Sequence, residues 1–152
     1  MSYIFQIVET EKQPVLSVQA TTSVEKMPNL IGPVYLSIVN YIVESGEEPL
    51  GPAFIAYYNM DMENLNIEIG FPIAKEIEGK GDITLRYIPA GKKATGFHKG
   101  PYNEIGPLYD RLATWISEKG YEPTGVVYEY YYNSPQEIPE SELLTKVEFL
   151  LQ

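Results

Sequence analysis

The sequence contains no cysteine. Disulfides, thiolate metal sites and a cysteine nucleophile are therefore excluded, and the composition fits the cytosol. It has a single histidine, His98. One imidazole without thiolates cannot build a zinc site, so no metal is assigned and no cofactor is expected. Basic residues are scarce: 11 Lys and Arg stand against 21 Asp and Glu, for a formal charge of −10. Nucleic acid is a polyanion held by a basic face. The densest basic stretch here is Lys92-Lys93, which argues against direct contact with DNA or RNA. An acidic field favours cationic ligands or basic partners, and equally serves solubility. No apolar run is long enough to span a membrane. Residues Met1 to Thr10 lack the basic start and apolar stretch of a signal peptide. No Ser-His-Asp signature, phosphate loop or dinucleotide glycine pattern occurs, and Gly79-Lys80-Gly81 reads as a turn.

What the chain does have is tyrosine: 13 residues against 5 Phe and 1 Trp. Tyrosine joins a flat apolar face to a hydroxyl, which suits both half-buried sheets and ligand pockets. With 44% hydrophobic residues the 152-residue chain can bury a sizeable core.

An internal repeat organises the chain. At an offset of 74 positions, Ile31-Gly32-Pro33-Val34-Tyr35 lies over Ile105-Gly106-Pro107-Leu108-Tyr109. Tyr41-Ile42 lies over Trp115-Ile116. Gly46, Glu48, Pro49 and Gly51 lie over Gly120, Glu122, Pro123 and Gly125. Tyr57-Tyr58-Asn59 lies over Tyr131-Tyr132-Asn133. No gap is needed across this span.

Each copy reads alike. Ile105, Leu108, Tyr109, Leu112, Trp115 and Ile116 recur at three- and four-residue spacing, as one apolar helix face. Ile31, Val34, Tyr35, Ile38 and Ile42 do the same in the first copy. Helices are predicted over Asn29–Glu44 and Asn103–Lys119, stopped by Gly46 and Gly120 with a proline soon after. Aromatic and β-branched runs predict strands at Ala53–Asn59, Asn66–Phe71, Val126–Asn133 and Thr145–Leu151, with Val15–Thr21 and Lys92–Phe97 before the helices. Ile4–Glu9 and Ile83–Tyr87 read as edge strands. The expected fold is α+β: a duplicated β-α-β-β unit with pseudo-two-fold symmetry, whose antiparallel sheet carries two helices on one face. Residues 1–152 would form one domain with halves at roughly 1–77 and 80–152, joined through Ala74–Asp82. A ligand cleft would lie between the repeats, where pockets commonly form.

Four stretches carry a resemblance to a known family. Gly96-Phe97-His98-Lys99-Gly100-Pro101-Tyr102 resembles a strand ending in a GxY turn. Leu112-Ala113-Thr114-Trp115-Ile116 with Gly120 resembles an L..W....G helix. Val127-Tyr128-Glu129-Tyr130-Tyr131 before Asn133-Ser134-Pro135 resembles a YE.Y strand. Thr145-Lys146-Val147-Glu148-Phe149 resembles the closing TE(I/V)YIP strand, with Leu150-Leu151 where Ile-Pro is usual. Together, and in this order, they resemble the GyrI-like family of AraC-type effector-binding domains, relatives of the SOUL domain. The resemblance implies a repeated β-α-β-β fold that binds lipophilic, often cationic, aromatic compounds. Many such domains follow a helix-turn-helix. Here the fold begins near Tyr3, so a stand-alone cytoplasmic binding module, regulator-like but without the regulator's DNA-binding part, is expected. The haem association of SOUL domains finds only His98 here, and no haem is assigned.

Glu129 is the sharpest candidate. Glutamate is depleted in strands, a buried unpaired carboxylate is costly, and the first copy has Ile55 at this position. By resemblance it contacts a ligand's positive charge. Alternation puts Val127, Glu129 and Tyr131 on one face, with Ala53, Ile55 and Tyr57 as their counterparts. Tyr131 and Tyr57 could stack a planar ligand, with cation–π support. Trp115, on the edge of the helical stripe, and Tyr102 and Phe97, at the strand-to-helix turn, complete the candidate set. The resemblance also leaves open a hydrolase opening cyclopropane-type toxic natural products, with Glu129 activating water, and an acidic protein contacting gyrase. The ligand expected is a lipophilic or cationic aromatic small molecule, with no membrane and no nucleic-acid partner. Given a charge of −10, the chain should show no measurable affinity for duplex DNA at physiological salt; a salt-dependent gel shift at low micromolar protein contradicts this reading.

Overall fold

A computed structural model describes residues 3–152. In chain order the elements are β1 (Gln6–Thr10), β2 (Gln13–Thr22), α1 (Met27–Glu44), β3 (Ala53–Tyr57), β4 (Leu65–Pro72), β5 (Thr84–Ile88), β6 (Gly91–Lys99), α2 (Gly106–Glu118), β7 (Pro123–Tyr131) and β8 (Leu144–Leu151). They form two compact units. One is Glu11–Ala90; the other is Gly91–Gln152 together with the residues up to Thr10.

Each unit is an antiparallel four-stranded sheet with one helix against one face. In Glu11–Ala90 the strand order is β3-β4-β2-β5. In the other unit it is β7-β8-β6-β1. Strand for strand the second order repeats the first, as the duplicated β-α-β-β reading requires. The edge strands are exchanged relative to the sequence division. β1 pairs with β6, Val8 opposite Lys93, while Phe5 and Ile7 pack on the core cluster of α2. The repeat matches end before either edge strand, so they carry no record of this exchange. The charged Ala74–Asp82 segment accordingly belongs to the connection between β4 and β5, inside one unit.

The helices stand where apolar periodicity puts them. Ile38 and Ile42 of α1 are fully buried, against Leu16, Ile73 and Ile83. Leu108, Leu112 and Ile116 of α2 are fully buried, against Ala94, Val127, Val147 and Phe149. The N-terminal ends differ between copies. α2 begins at Gly106, later than predicted, because Tyr102–Glu104 forms a separate 3₁₀ turn. Pro107 thus falls in the first helical turn, where a missing N–H leaves no bond unmade. α1 begins at Met27, so the matching Pro33 lies inside it. Gly46 and Gly120 follow the two helices at φ of 82° and 83°, a left-handed conformation that glycine takes without a Cβ clash. Among the described residues no helix is long and apolar enough to cross a membrane.

Two glycines outside these turns behave oppositely. A Cβ on Gly70 would lie 2.7 Å from the Leu16 carbonyl oxygen and 2.9 Å from Phe54 Cζ. A Cβ on Gly32, inside α1, would meet nothing within 4 Å. Gly70→Ala should therefore destabilise by about 1–3 kcal/mol, the usual cost of overpacking. Gly32→Ala should stabilise by about 0.5–1 kcal/mol through backbone entropy. Equilibrium urea unfolding separates the two; equal effects would mean that the packing around Gly70 gives way freely.

Candidate functional site

The helix-facing side of β7 carries Val127, Glu129 and Tyr131 in alternation, and Val127 sits in the α2 core cluster. Glu129 follows that pattern into the interior, where it is 9% exposed. Its two oxygens are taken by phenols. Tyr131 Oη donates to Oε1 at 2.7 Å, and Tyr109 Oη, from α2, donates to Oε2. Burial pushes the carboxyl above its ordinary range, while these two hydrogen bonds pull the other way. The Tyr102 ring meets the Tyr131 ring edge-on at 5.7 Å. Burial and the Glu129 charge both raise the Tyr102 hydroxyl's pKa. Tyr102 is 40% exposed, so this aromatic group reaches solvent at one end.

The repeat shows what this arrangement adds. Tyr35, the counterpart of Tyr109, donates to the backbone oxygen of Phe54 at 3.0 Å. Beside it the strand carries Ile55, fully buried. The copies share the helix tyrosine, and only one of them has a carboxylate beneath it.

Of the six candidates, the structure brings Glu129, Tyr131 and Tyr102 together. Phe97 is 46% exposed and stacks toward Tyr132 at 6.2 Å, on the sheet face turned away from α2. Period-two alternation explains its place: Ala94, in the α2 cluster, fixes the face for Gly96 and His98, and Phe97 points the other way. Trp115 packs on Phe5 at 5.7 Å, beside a cavity of about 470 Å³ lined also by Tyr3, Asp110 and Arg111. That lies at β1, separated from β7 by β6 and β8. Tyr57 belongs to the other unit, where its hydroxyl approaches Met27 Sδ at 3.9 Å.

Two neighbours were not singled out by sequence. Tyr109 reads there as one more apolar stripe position; only its repeated Ile-Gly-Pro-x-Tyr context hints at a fixed role. His98 is 4% exposed and directly opposite Thr145, which is fully buried and directly opposite Tyr131. The row Tyr131–Thr145–His98 thus crosses three strands on the helix-facing side.

Two further buried carboxylates lie on the faces turned from the helices. Glu68 accepts from Ser17 at 2.6 Å and from Tyr58, and pairs with Arg86 at 3.4 Å. Glu148 accepts from Tyr130 at 3.2 Å and pairs with Lys146 at 3.6 Å. Each has a cationic partner. Glu129 forms no ion pair among the described residues.

Residues 5–152 match the GyrI-like small molecule binding domain, and the chain belongs to that family. No curated protein sequence matches the chain. Among solved structures, the C-terminal domain of EcmrR is similar over 100% of this chain and 99% of its own, with a TM-score of 0.81 and 22% identity. In the EcmrR–DNA complex the match has a TM-score of 0.84 at 22% identity; it covers 99% of this chain but 57% of the EcmrR chain. A hydrolase from Listeria innocua matches over 97% of this chain and 91% of its own, at a TM-score of 0.73 and 10% identity. SAV2435 bound to tetraphenylphosphonium matches over 100% of this chain and 94% of its own, at a TM-score of 0.63 and 9% identity. At these identities the likenesses speak for the fold.

The raised pKa of Glu129 fixes the sign of a stability effect. Between the ordinary carboxyl value of about 4.3 and the raised folded value, the native state holds a proton that the unfolded chain has released. Wild-type stability therefore declines as pH rises through that window. Glu129→Gln cannot titrate. The stability of Glu129→Gln relative to wild type should grow as pH rises above about 4.3 and then level off. Urea unfolding at stepped pH measures it; a flat difference, or one of opposite slope, contradicts the raised pKa.

Proposed function

We propose that this chain binds a lipophilic, aromatic cation, with Glu129 reading the charge and Tyr131, Tyr102 and Tyr109 supplying the aromatic and hydroxyl surround. The observation that carries this reading is the contrast among the buried glutamates. Glu68 and Glu148 have Arg86 and Lys146 beside them, whereas Glu129 is held only by phenol hydroxyls. An ionised carboxylate in an aromatic surround without a cation is expensive. A cationic ligand supplies the missing charge, and the tyrosine faces add cation–π attraction. Family membership supports small-molecule binding. The similarity to SAV2435 bound to tetraphenylphosphonium supports a lipophilic cation as the class.

Tetraphenylphosphonium and neutral triphenylphosphine oxide, titrated into wild type and Glu129→Gln, test the reading. Glu129→Gln keeps the shape and removes the charge. Affinity for the cation should fall by about 1.5–3 kcal/mol, roughly ten- to a hundredfold, while the neutral compound is barely affected. Cation affinity in wild type should also rise with pH through the Glu129 pKa, because binding expels the proton. Equal losses for both compounds, or none for either, rule out Glu129 as the charge-reading group.

A further inference from the structure

The polar groups beside Glu129 restrict the ligand further, on the basis of the cation-binding reading above. His98 and Thr145 are both more than nine-tenths buried. His98 Nε2 lies 2.8 Å from the Pro101 carbonyl oxygen. A carbonyl only accepts, so Nε2 carries the hydrogen and Nδ1 of the neutral ring presents a bare lone pair. Nδ1 has no hydrogen-bond partner among the described residues, and neither has Thr145 Oγ1. A buried polar atom left unmatched costs about 1–3 kcal/mol, so two in one place call for a purpose.

They are in one place. His98 and Thr145 are directly opposed across β6 and β8, and Thr145 and Tyr131 across β8 and β7. Directly opposed residues have Cβ atoms about 4.5–5.5 Å apart. Tyr131 in turn donates to Glu129. A lone pair, a hydroxyl and a carboxylate therefore gather on one patch of the helix-facing side of the sheet. Tyr102, just past the Pro101 carbonyl that holds His98, meets the Tyr131 ring edge-on and is itself 40% exposed. Two of the three groups accept hydrogen bonds only, once Glu129 is ionised, and the third can accept.

We propose that His98 Nδ1 and Thr145 Oγ1, beside Glu129, form a hydrogen-bond-accepting subsite that selects cations bearing N–H donors: protonated aromatic amines in preference to quaternary onium ions. A quaternary ion satisfies the Glu129 charge and leaves both acceptors unmatched. An ammonium N–H engages an acceptor while its charge faces the carboxylate. Discrimination of this kind is steep, because a site built for a hydrogen bond penalises the analogue that lacks it.

A matched pair of ligands tests this: (biphenyl-4-yl)methyl-dimethylammonium, with one N–H, and its trimethylammonium counterpart, with none. Wild type should bind the first at least tenfold more tightly by calorimetry. Thr145→Val keeps the shape and removes the hydroxyl; His98→Leu removes the lone pair. Each should narrow the preference while leaving trimethylammonium binding unchanged or tighter. Thr145→Val, which deletes an unmatched buried hydroxyl, should also be no less stable than wild type, so folding does not obscure the result should His98→Leu fail to fold. Glu129→Gln should weaken both ligands alike. Equal wild-type affinities, or equal losses of both ligands in Thr145→Val, overturn the subsite even when Glu129→Gln confirms charge reading. No binding of either ammonium by a wild type that binds tetraphenylphosphonium overturns the subsite alone, and no binding of any of the three cations overturns both readings.

Discussion

A carboxylate can be kept under a helix only if its oxygens are given donors, and most of the architecture around Glu129 follows from meeting that demand. Tyr109 comes from α2 and Tyr131 from the same strand as Glu129, so both oxygens are occupied from fixed elements. The phenols satisfy hydrogen bonding without supplying positive charge. The carboxyl is thereby held in place and remains electrostatically unsettled: burial raises its pKa and the hydrogen bonds only partly oppose this. A Lys or Arg there would have neutralised the charge; the phenols do not.

The duplicated architecture makes this local specialisation possible. In Glu11–Ala90, Tyr35 spends its hydroxyl on a backbone carbonyl and Ile55 fills the strand position. That unit shows that the helix-on-sheet packing needs no carboxylate for stability. Its own buried glutamate, Glu68, lies on the opposite sheet face and is neutralised by Arg86. The same β-α-β-β scaffold thus carries an apolar version and a polar version of one position.

The repeat, the helices and the β7 carboxylate were legible because each leaves a local mark: matches at a fixed offset, a three-to-four-residue stripe, a glutamate in an aromatic strand where the other copy has isoleucine. The exchange of edge strands was not, since the matches from Ile31 to Asn59 never reach β1 or β5. The family resemblance puts Phe97 at the turn with Tyr102. Period-two alternation running from Ala94 would have chosen His98 instead. His98 holds the Pro101 carbonyl through Nε2. Whether Nδ1 also has a partner depends on what β8 places opposite, and Thr145 is 47 residues away in sequence. Information of that kind exists only after the strands pair.

Side-chain identity along the cross-strand row explains why the polar patch is confined to one end of the sheet. Moving along β8 from Thr145 to Val147 to Phe149, the helix-facing positions turn from hydroxyl to aliphatic to aromatic. Along β6 the same step runs from His98 through Gly96 to Ala94, and along β7 from Tyr131 through Glu129 to Val127. All three strands therefore change from polar to apolar in the same direction, under a helix whose buried residues Leu108, Leu112 and Ile116 are aliphatic. The apolar end secures the helix by burial, worth about 1.5–3 kcal/mol for each fully buried side chain of this size. That surplus lets the other end tolerate unmatched polar atoms and an unneutralised carboxyl, so the gradient along the strands separates the part of the sheet that stabilises the unit from the part that holds its buried polar groups.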